Sequence, residues 1–304
     1  MDTKTQYSAK FAEEKRFGNG EISALLLLCD FVLIINRKRH RLVILSKEME
    51  EKAEFTFSLT QRGLFGSLDD MAKVSQSRFA VLCTGRFSAS KCWIYELKDD
   101  QGSTTISMVE EILLEKRCTS ICFQRESFFA SFSPLVGSHG FIRQKNLHGS
   151  NVRKFVNDVD NESLFGKNVL ILHVDSEFIM FVGDVKRKEL QVLKKDNECE
   201  LLTKETSHRY RVLDIAVSNR GPSYLLTDSS DGIVLLHRDR KWTFNNFLPK
   251  SEIRGTPTAV AYVKSPKPRL VVAVSSGSIC KKTKLLFFDL IETTSGADAS
   301  DFEP

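Results

Sequence analysis

The apolar runs of the chain recur at a near-constant spacing. FVLIIN starts at Phe31, FAVLCT at Phe79, FFASFS at Phe128 and FIMFVG at Phe178; SYLLTD carries Tyr224, and LVVAVS starts at Leu270. The leading residues lie 48, 49, 50, 46 and 46 positions apart. A fixed period of this size marks a propeller or solenoid made from one repeated supersecondary unit. A second marker follows the same register. Arg16-Phe17-Gly18, Leu64-Phe65-Gly66 and Leu164-Phe165-Gly166 each precede a unit, which predicts a tight glycine turn at its entry.

Each unit repeats an internal order. A short run such as LDIAV or TSICF is followed by a polar turn and then by the middle run. A third run comes next: RLVIL, KCWIYEL, GFIRQ, ELQVL, GIVLLHR and KLLFFDL in the six units. A weaker fourth run, such as EFTFSL or WTFNNFL, ends most units. The runs are of strand length, rich in Val, Ile, Leu and Phe, and bounded by turn residues. No long stretch has helical spacing. The pattern predicts an all-β fold, a six-bladed β-propeller of four-stranded antiparallel blades. The sixth unit has no fourth run of its own, and TQYSAKFAE near the start is unassigned. Residues Tyr7 to Phe11 are therefore expected to pair into the last blade and close the ring, leaving no open sheet edge. The expected domain is 1–292, with an acidic disordered tail at 293–304.

Composition narrows the class. The 304 residues are 41% hydrophobic and 27% charged, which is globular rather than disordered. There are 22 Phe and only 2 Trp, so a Phe-filled core is expected. The seven cysteines have no framework or zinc-ligand spacing, and they read as reduced thiols in apolar runs of a cytoplasmic protein. The start has no apolar signal core, and the longest apolar run, 24–29, is far too short to span a bilayer. A soluble, intracellular, monomeric chain is expected.

One blade resembles a known family. In LDIAVSNRGPSYLLTDSSDGIVLLHR, the positions Asp214, Ile215, Ala216, Val217, Gly221, Tyr224, Thr227, Asp228, Ile233 and Leu235 resemble an NHL repeat. KCWIYEL and KLLFFDL are similar instead to the third strand of a WD repeat, with Trp93 and Phe288 at the usual Trp position, although the Gly-His and Trp-Asp signatures are absent. NHL propellers often form the C-terminal part of tripartite-motif ubiquitin ligases, where they capture proteins or RNA. The resemblance implies a recognition module. This chain has no RING-type array, so it would lack ligase activity itself.

Charge placement suggests where recognition occurs. The net charge is +5 and the sequence pI about 8.7. In a propeller the loops from second to third strand share one face. Here they carry Arg37, Lys38, Arg39 and Arg41, then Arg86, then Lys186, Arg187 and Lys188, and finally Lys281, Lys282 and Lys284. Only the fifth loop is acidic, with Asp228 and Asp231. A single basic rim is expected, fitted to an acidic protein segment or to the phosphates of single-stranded RNA. Phe87 and Phe141 are the aromatics available there for base stacking. A hydrolase is the remaining alternative. It would need converging carboxylates, for which Asp175, Asp184, Asp214 and Asp228 are candidates. Asp70, Asp160 and Asp214 near first-strand starts read as turn caps. The histidines at 40, 139, 148, 173, 208 and 237 have no ligand spacing, and no nucleophile elbow or phosphate-binding glycine loop is present. A non-catalytic role without metal, cofactor or small-molecule substrate is expected.

Overall fold

Phe31–Asn36 is buried at every position, with no alternation. A strand reads this way when both faces of its sheet are covered. The computed structural model describes residues 5–63, 66–85, 88–100, 103–134, 139–147, 150–155, 165–177, 179–195, 202–208, 212–217, 223–228, 230–238, 241–264, 267–276 and 282–294. In it β1 (Thr5–Asn19) precedes six sheets. Blade one is β2 (Ile22–Leu28), β3 (Phe31–Asn36), β4 (Arg41–Ser46) and β5 (Glu51–Thr56). Blade two is β6 (Gly66–Lys73), β7 (Arg78–Gly85), β8 (Ser90–Asp100) and β9 (Ser103–Leu114). Blade three is β10 (Cys118–Gln124), β11 (Ser127–Phe132), β12 (Phe141–Asn146) and β13 (Asn151–Phe155). Blade four is β14 (Val169–Val174), β15 (Ile179–Asp184), β16 (Glu189–Lys195) and β17 (Leu202–His208). Blade five is β18 (Val212–Val217), β19 (Ser223–Asp228), β20 (Gly232–Arg238) and β21 (Trp242–Pro249). Blade six is β22 (Thr256–Val263), β23 (Arg269–Ser276) and β24 (Lys282–Thr294), completed by β1.

All sheets are antiparallel with strands in sequence order, except the last, whose order is β1-β24-β23-β22. The first strands touch cyclically, β2 to β6, β10, β14, β18, β22 and back to β2. This is the six-bladed propeller that the period predicts. Its core consists of six apolar clusters, each pressed between two consecutive sheets. Between blades one and two, Phe57 stacks on Trp93 at 5.5 Å, and Phe79 on Tyr95 at 5.6 Å. Between blades two and three, Phe123 stacks on Phe128 at 4.7 Å. Outer strands are covered on one side only. Glu51–Thr56 accordingly alternates between exposed and half-buried positions.

The ring is shut by β1, as expected, but over a longer span than Tyr7 to Phe11. Pairing runs from Thr5 opposite Thr294 to Asn19 opposite Lys282. Phe11 stands edge-on to Phe288 at 5.9 Å. On the other side β24 continues to Thr294, beyond the expected end of the domain at 292. The glycine marker needs correcting. Gly66 and Gly166 do stand at blade entries, but neither has a positive φ. They are needed for close approach: a Cβ on Gly166 would lie 2.0 Å from Asp184 Oδ2, and one on Gly66 2.0 Å from the Arg62 carbonyl. In blade one Gly20 fills this place, against the Asn36 side chain, whereas Gly18 lies within β1.

A chain lacking residues 1–19 should expose the free edge of β24 and lose cooperative folding. The thermal midpoint should fall by roughly 10 °C or more, and a synthetic 5–19 peptide should restore it, as read by scanning fluorimetry.

Candidate functional site

The second-to-third-strand turns fall on one face of the ring, here the upper face. Two of them share a construction. In blade one, Asn36 Oδ1 accepts the Arg39 N–H at 3.1 Å, and the Arg37 N–H donates to the Glu21 carbonyl at 2.8 Å. In blade four, Asp184 Oδ1 accepts from the Lys186 and Arg187 N–H groups at 3.1 and 3.0 Å, and the Val185 N–H donates to the Asn168 carbonyl at 3.1 Å. His40 and Lys188 close the two turns with φ of 53° and 55°. An Asn or Asp ending the second strand thus folds the turn and holds the side chains after it outward.

Among the described residues these turns do not join into the single basic rim expected from the sequence. Blades one and four are three places apart in a six-membered ring, so their cations face each other across it. Several of the cations are already paired. Arg37 reaches Asp69 of blade two at 2.6 Å, donates to Ser67 Oγ at 2.8 Å, and lies 3.9 Å from Glu21. Arg41 meets Glu54 at 2.5 Å, and Arg187 lies 3.6 Å from Asp184. Lys284 donates to Glu14 at 2.9 Å, and that bond, with Arg16, holds the Glu14 carboxyl below its usual range. Lys38, Arg39, Lys186 and Lys188 are exposed and have no ion pair among the described residues. Arg86, Phe87 and Lys281 lie outside the described residues, as do the side chains of Lys282 and Asp228. The Phe141 ring is already engaged, stacked on Phe132 at 4.9 Å and covered by Lys154 Nζ at 4.3 Å.

The first strands enclose a central channel of about 1030 Å³. Each of the six carries a bulge: one residue is skipped in the pairing with the second strand, namely Ser23, Asp69, Thr119, Leu172, Leu213 and Thr258. A bulge re-aims side chains, and here three of the six, Ser23, Thr119 and Thr258, reach the next blade. Ser23 donates to the Leu68 carbonyl at 3.0 Å, and Thr258 to that of Ile22 at 3.2 Å. The residue after the bulge does the converse. Asp70 Oδ2 accepts the Ile121 N–H at 2.9 Å, Ser120 Oγ that of Ile171 at 2.6 Å, and Asp214 Oδ2 that of Val260 at 2.8 Å. Asp70 and Asp214, read from the sequence as turn caps, are therefore clamps between blades. Desolvation in the channel wall dominates their titration. It pushes Asp214 up to about 7 against the opposing hydrogen bonds from Val260 and Ile215. Asp70 is raised well above its ordinary value by the same cause, and Asp214 across the channel adds to the effect.

Of the hydrolase carboxylates, Asp175 and Asp184 stand at opposite ends of blade four, and the side chain of Asp228 lies outside the described residues. Asp175 caps the lower turn of blade four, accepting from the Glu177 and Ile179 N–H groups at 2.8 Å each, while Asp184 caps the upper turn of the same blade. Among the described residues no three His, Cys, Asp or Glu side chains group as metal ligands. Burial pushes the Cys83 and Cys122 thiols up to about 12, so they stay protonated, and Cys92 and Cys118 are buried as well. Cys29 departs from the expected burial: it is exposed, with its thiol donating to the Gln76 carbonyl at 2.7 Å. Among the described residues no helix is long and apolar enough to cross a membrane.

No protein-family model matches the chain, and no curated protein matches it in sequence. Solved structures do resemble it. The WD40 repeats of RRP9 align with a TM-score of 0.57 at 11% identity, over 95% of this chain and 100% of that one. A soluble aldose sugar dehydrogenase from Escherichia coli, in its apo form, aligns with a TM-score of 0.60 at 11% identity, over 93% and 99%. A chain of a mitotic checkpoint complex aligns with a TM-score of 0.58 at 9% identity, over 93% of both. At these identities the likeness is one of fold: a six-bladed propeller with WD40-like neighbours.

Two outcomes test the site chemistry. Gly166→Ala should destabilise by about 1–3 kcal/mol through the clash with Asp184, measured by urea unfolding. Asp214 binds its proton more tightly when folded than its ordinary 3.8, so the folded state holds more protons between those values. Its contribution to stability therefore falls as pH rises from about 4 to about 7, at up to about 1.4 kcal/mol per pH unit. Asp214→Asn keeps an acceptor for Val260 and should flatten that part of the stability–pH curve.

Proposed function

We propose that the chain is a non-catalytic recognition scaffold that binds a protein partner through an acidic segment laid on the upper face. One observation carries this reading. Lys38 and Arg39 on one side of the ring, and Lys186 and Lys188 on the other, are held exposed on Asx-capped turns with no counter-charge among the described residues. Point charges that their own fold leaves unpaired are available to a partner, and they steer its approach. The propeller supports the reading without carrying it, because the same fold occurs in a checkpoint complex and in a sugar dehydrogenase. On this reading blade five, with its NHL-like pattern, belongs to a recognition propeller. The free buried thiols fit a reducing compartment such as the cytosol.

RNA is the less favoured ligand, since Phe141 is already engaged by Phe132 and Lys154 and offers no open stacking surface. Reversing Lys38, Arg39, Lys186 and Lys188 to Glu should remove specific proteins from a cross-linked pull-down made at low salt, while leaving the thermal midpoint unchanged. The reading is overturned if both forms capture the same proteins, or if the wild type retains only single-stranded RNA and the variant loses it.

A further inference from the structure

The lower face of the ring is built differently, and we infer that the lower mouth of the channel is a second docking site, for an acidic polypeptide segment that carries an apolar side chain into the channel. The register places the lower mouth at the ends of the first strands. Lys73 ends β6 opposite Phe79, and Lys264 directly follows Val263 at the end of β22. Arg125 stands in the turn after β10, and Lys47 in the turn after β4. All four line the channel. They come from blades six, one, two and three, which are consecutive, so the charges form one continuous arc over more than half the ring. Asp30 is the one carboxylate lining this mouth among the described residues.

The arc is not used up by the fold. Lys47, Lys73 and Lys264 have no ion pair among the described residues. Arg125 differs from these three in being engaged by the fold, donating among other contacts to the Ser176 carbonyl at 3.3 Å. The upper mouth has the opposite balance, with Arg37 set between Glu21 and Asp69. The channel is thus polarised from a cationic lower end to a neutralised upper end.

The remaining two blades complete the chemistry. Blade five contributes Val217, which is 38% exposed. Blade four contributes His173, which burial pushes down to about 4 and so keeps uncharged at neutral pH. Just inside the arc the wall is aliphatic, with Leu27, Val74 and Val263. A volume of about 1030 Å³ is at the upper end of ordinary ligand pockets and admits side chains. Cations at the edge with aliphatic walls inside match carboxylates flanking an apolar residue. The compact ammonium groups suit single carboxylates, and the described Phe and Tyr rings lining the channel, Phe123 and Tyr262, are buried.

The test uses the full chain and a fluorescein-labelled peptide in which glutamates flank two leucines. Anisotropy is read at about 50 mM salt, where screening is weak. The wild type should bind. Lys73→Glu with Lys264→Glu should weaken binding by about tenfold or more, and the neutral Gln pair by less. Lys116→Glu with Lys241→Glu, exposed lysines outside the channel lining, should leave it within about twofold. A peptide with serine in place of leucine should bind more weakly. The proposal is overturned if the wild type fails to bind, if the control pair matters as much as the channel pair, if serine substitutes without loss, or if an RNA of matched charge binds more tightly and is lost through the same two lysines.

Discussion

Five of the six blades are tied to the next by the bulge in their first strand. A four-stranded sheet with two apolar faces is not stable alone in water. Here each sheet is covered by its neighbours, and the six interfaces between sheets hold the whole core. Apolar contact alone would leave the sheets free to slide. The bulge removes that freedom, because it turns one polar side chain toward the next inner strand at a set height. Ser23, Asp70, Ser120, Asp214 and Thr258 each make such a link, to Leu68, Ile121, Ile171, Val260 and Ile22 respectively. At the joint between blades four and five, Leu172 takes the bulge position, and the described contacts are of another kind. The rings of Phe181 and Tyr224 lie 4.4 Å apart, and Arg238 reaches Glu177 at 3.1 Å. Among the described residues the ring therefore has five bulge clasps, and one joint held by aromatic contact, by the Tyr224 hydroxyl donating to Asp175 at 3.4 Å, and by surface charge.

The distribution of charge follows from the same construction. Turns on the upper face are shaped by the residue that ends the second strand, so their cations are rigidly presented but widely separated. Inter-blade pairs such as Arg37 with Asp69 consume charge that the sequence alone would count as available. Exposed pairs of this kind add little stability. Their larger effect is to decide which end of the channel is left positive.

The blade period was legible because the middle strands are buried on both sides. A run such as FVLIIN cannot hide in a chain of alternating strands, and its leading aromatic marks each repeat. The closing role of the N-terminus was legible from the missing fourth run of the last unit. Its length was not, since Thr5–Asn19 is mostly exposed and polar and lacks a clear period. The clasps were invisible for a different reason. A lone Ser, Thr or Asp at the start of a strand looks like a turn cap, and only the register shift reveals that it points across to another blade. The aspartate spacing of Asp70 and Asp214 from their middle runs was a usable signal, because both lie just before an apolar pair at equivalent points of the repeat. Among the described residues the basic rim divides between opposite sides of the ring, because sequence order does not state which blades face each other. That becomes plain only once the ring is counted round.

The pairing of Thr5–Asn19 with Lys282–Thr294 also has a consequence in time. Among the strands of this ring, the one that locks it is made before the others and its partner after them. At ordinary synthesis rates of about 5–20 residues per second, the two are separated by roughly fifteen seconds to a minute. Throughout that interval the leading strand must stay unpaired while five blades assemble behind it, so the circle can be completed only after Lys282–Thr294 has been made.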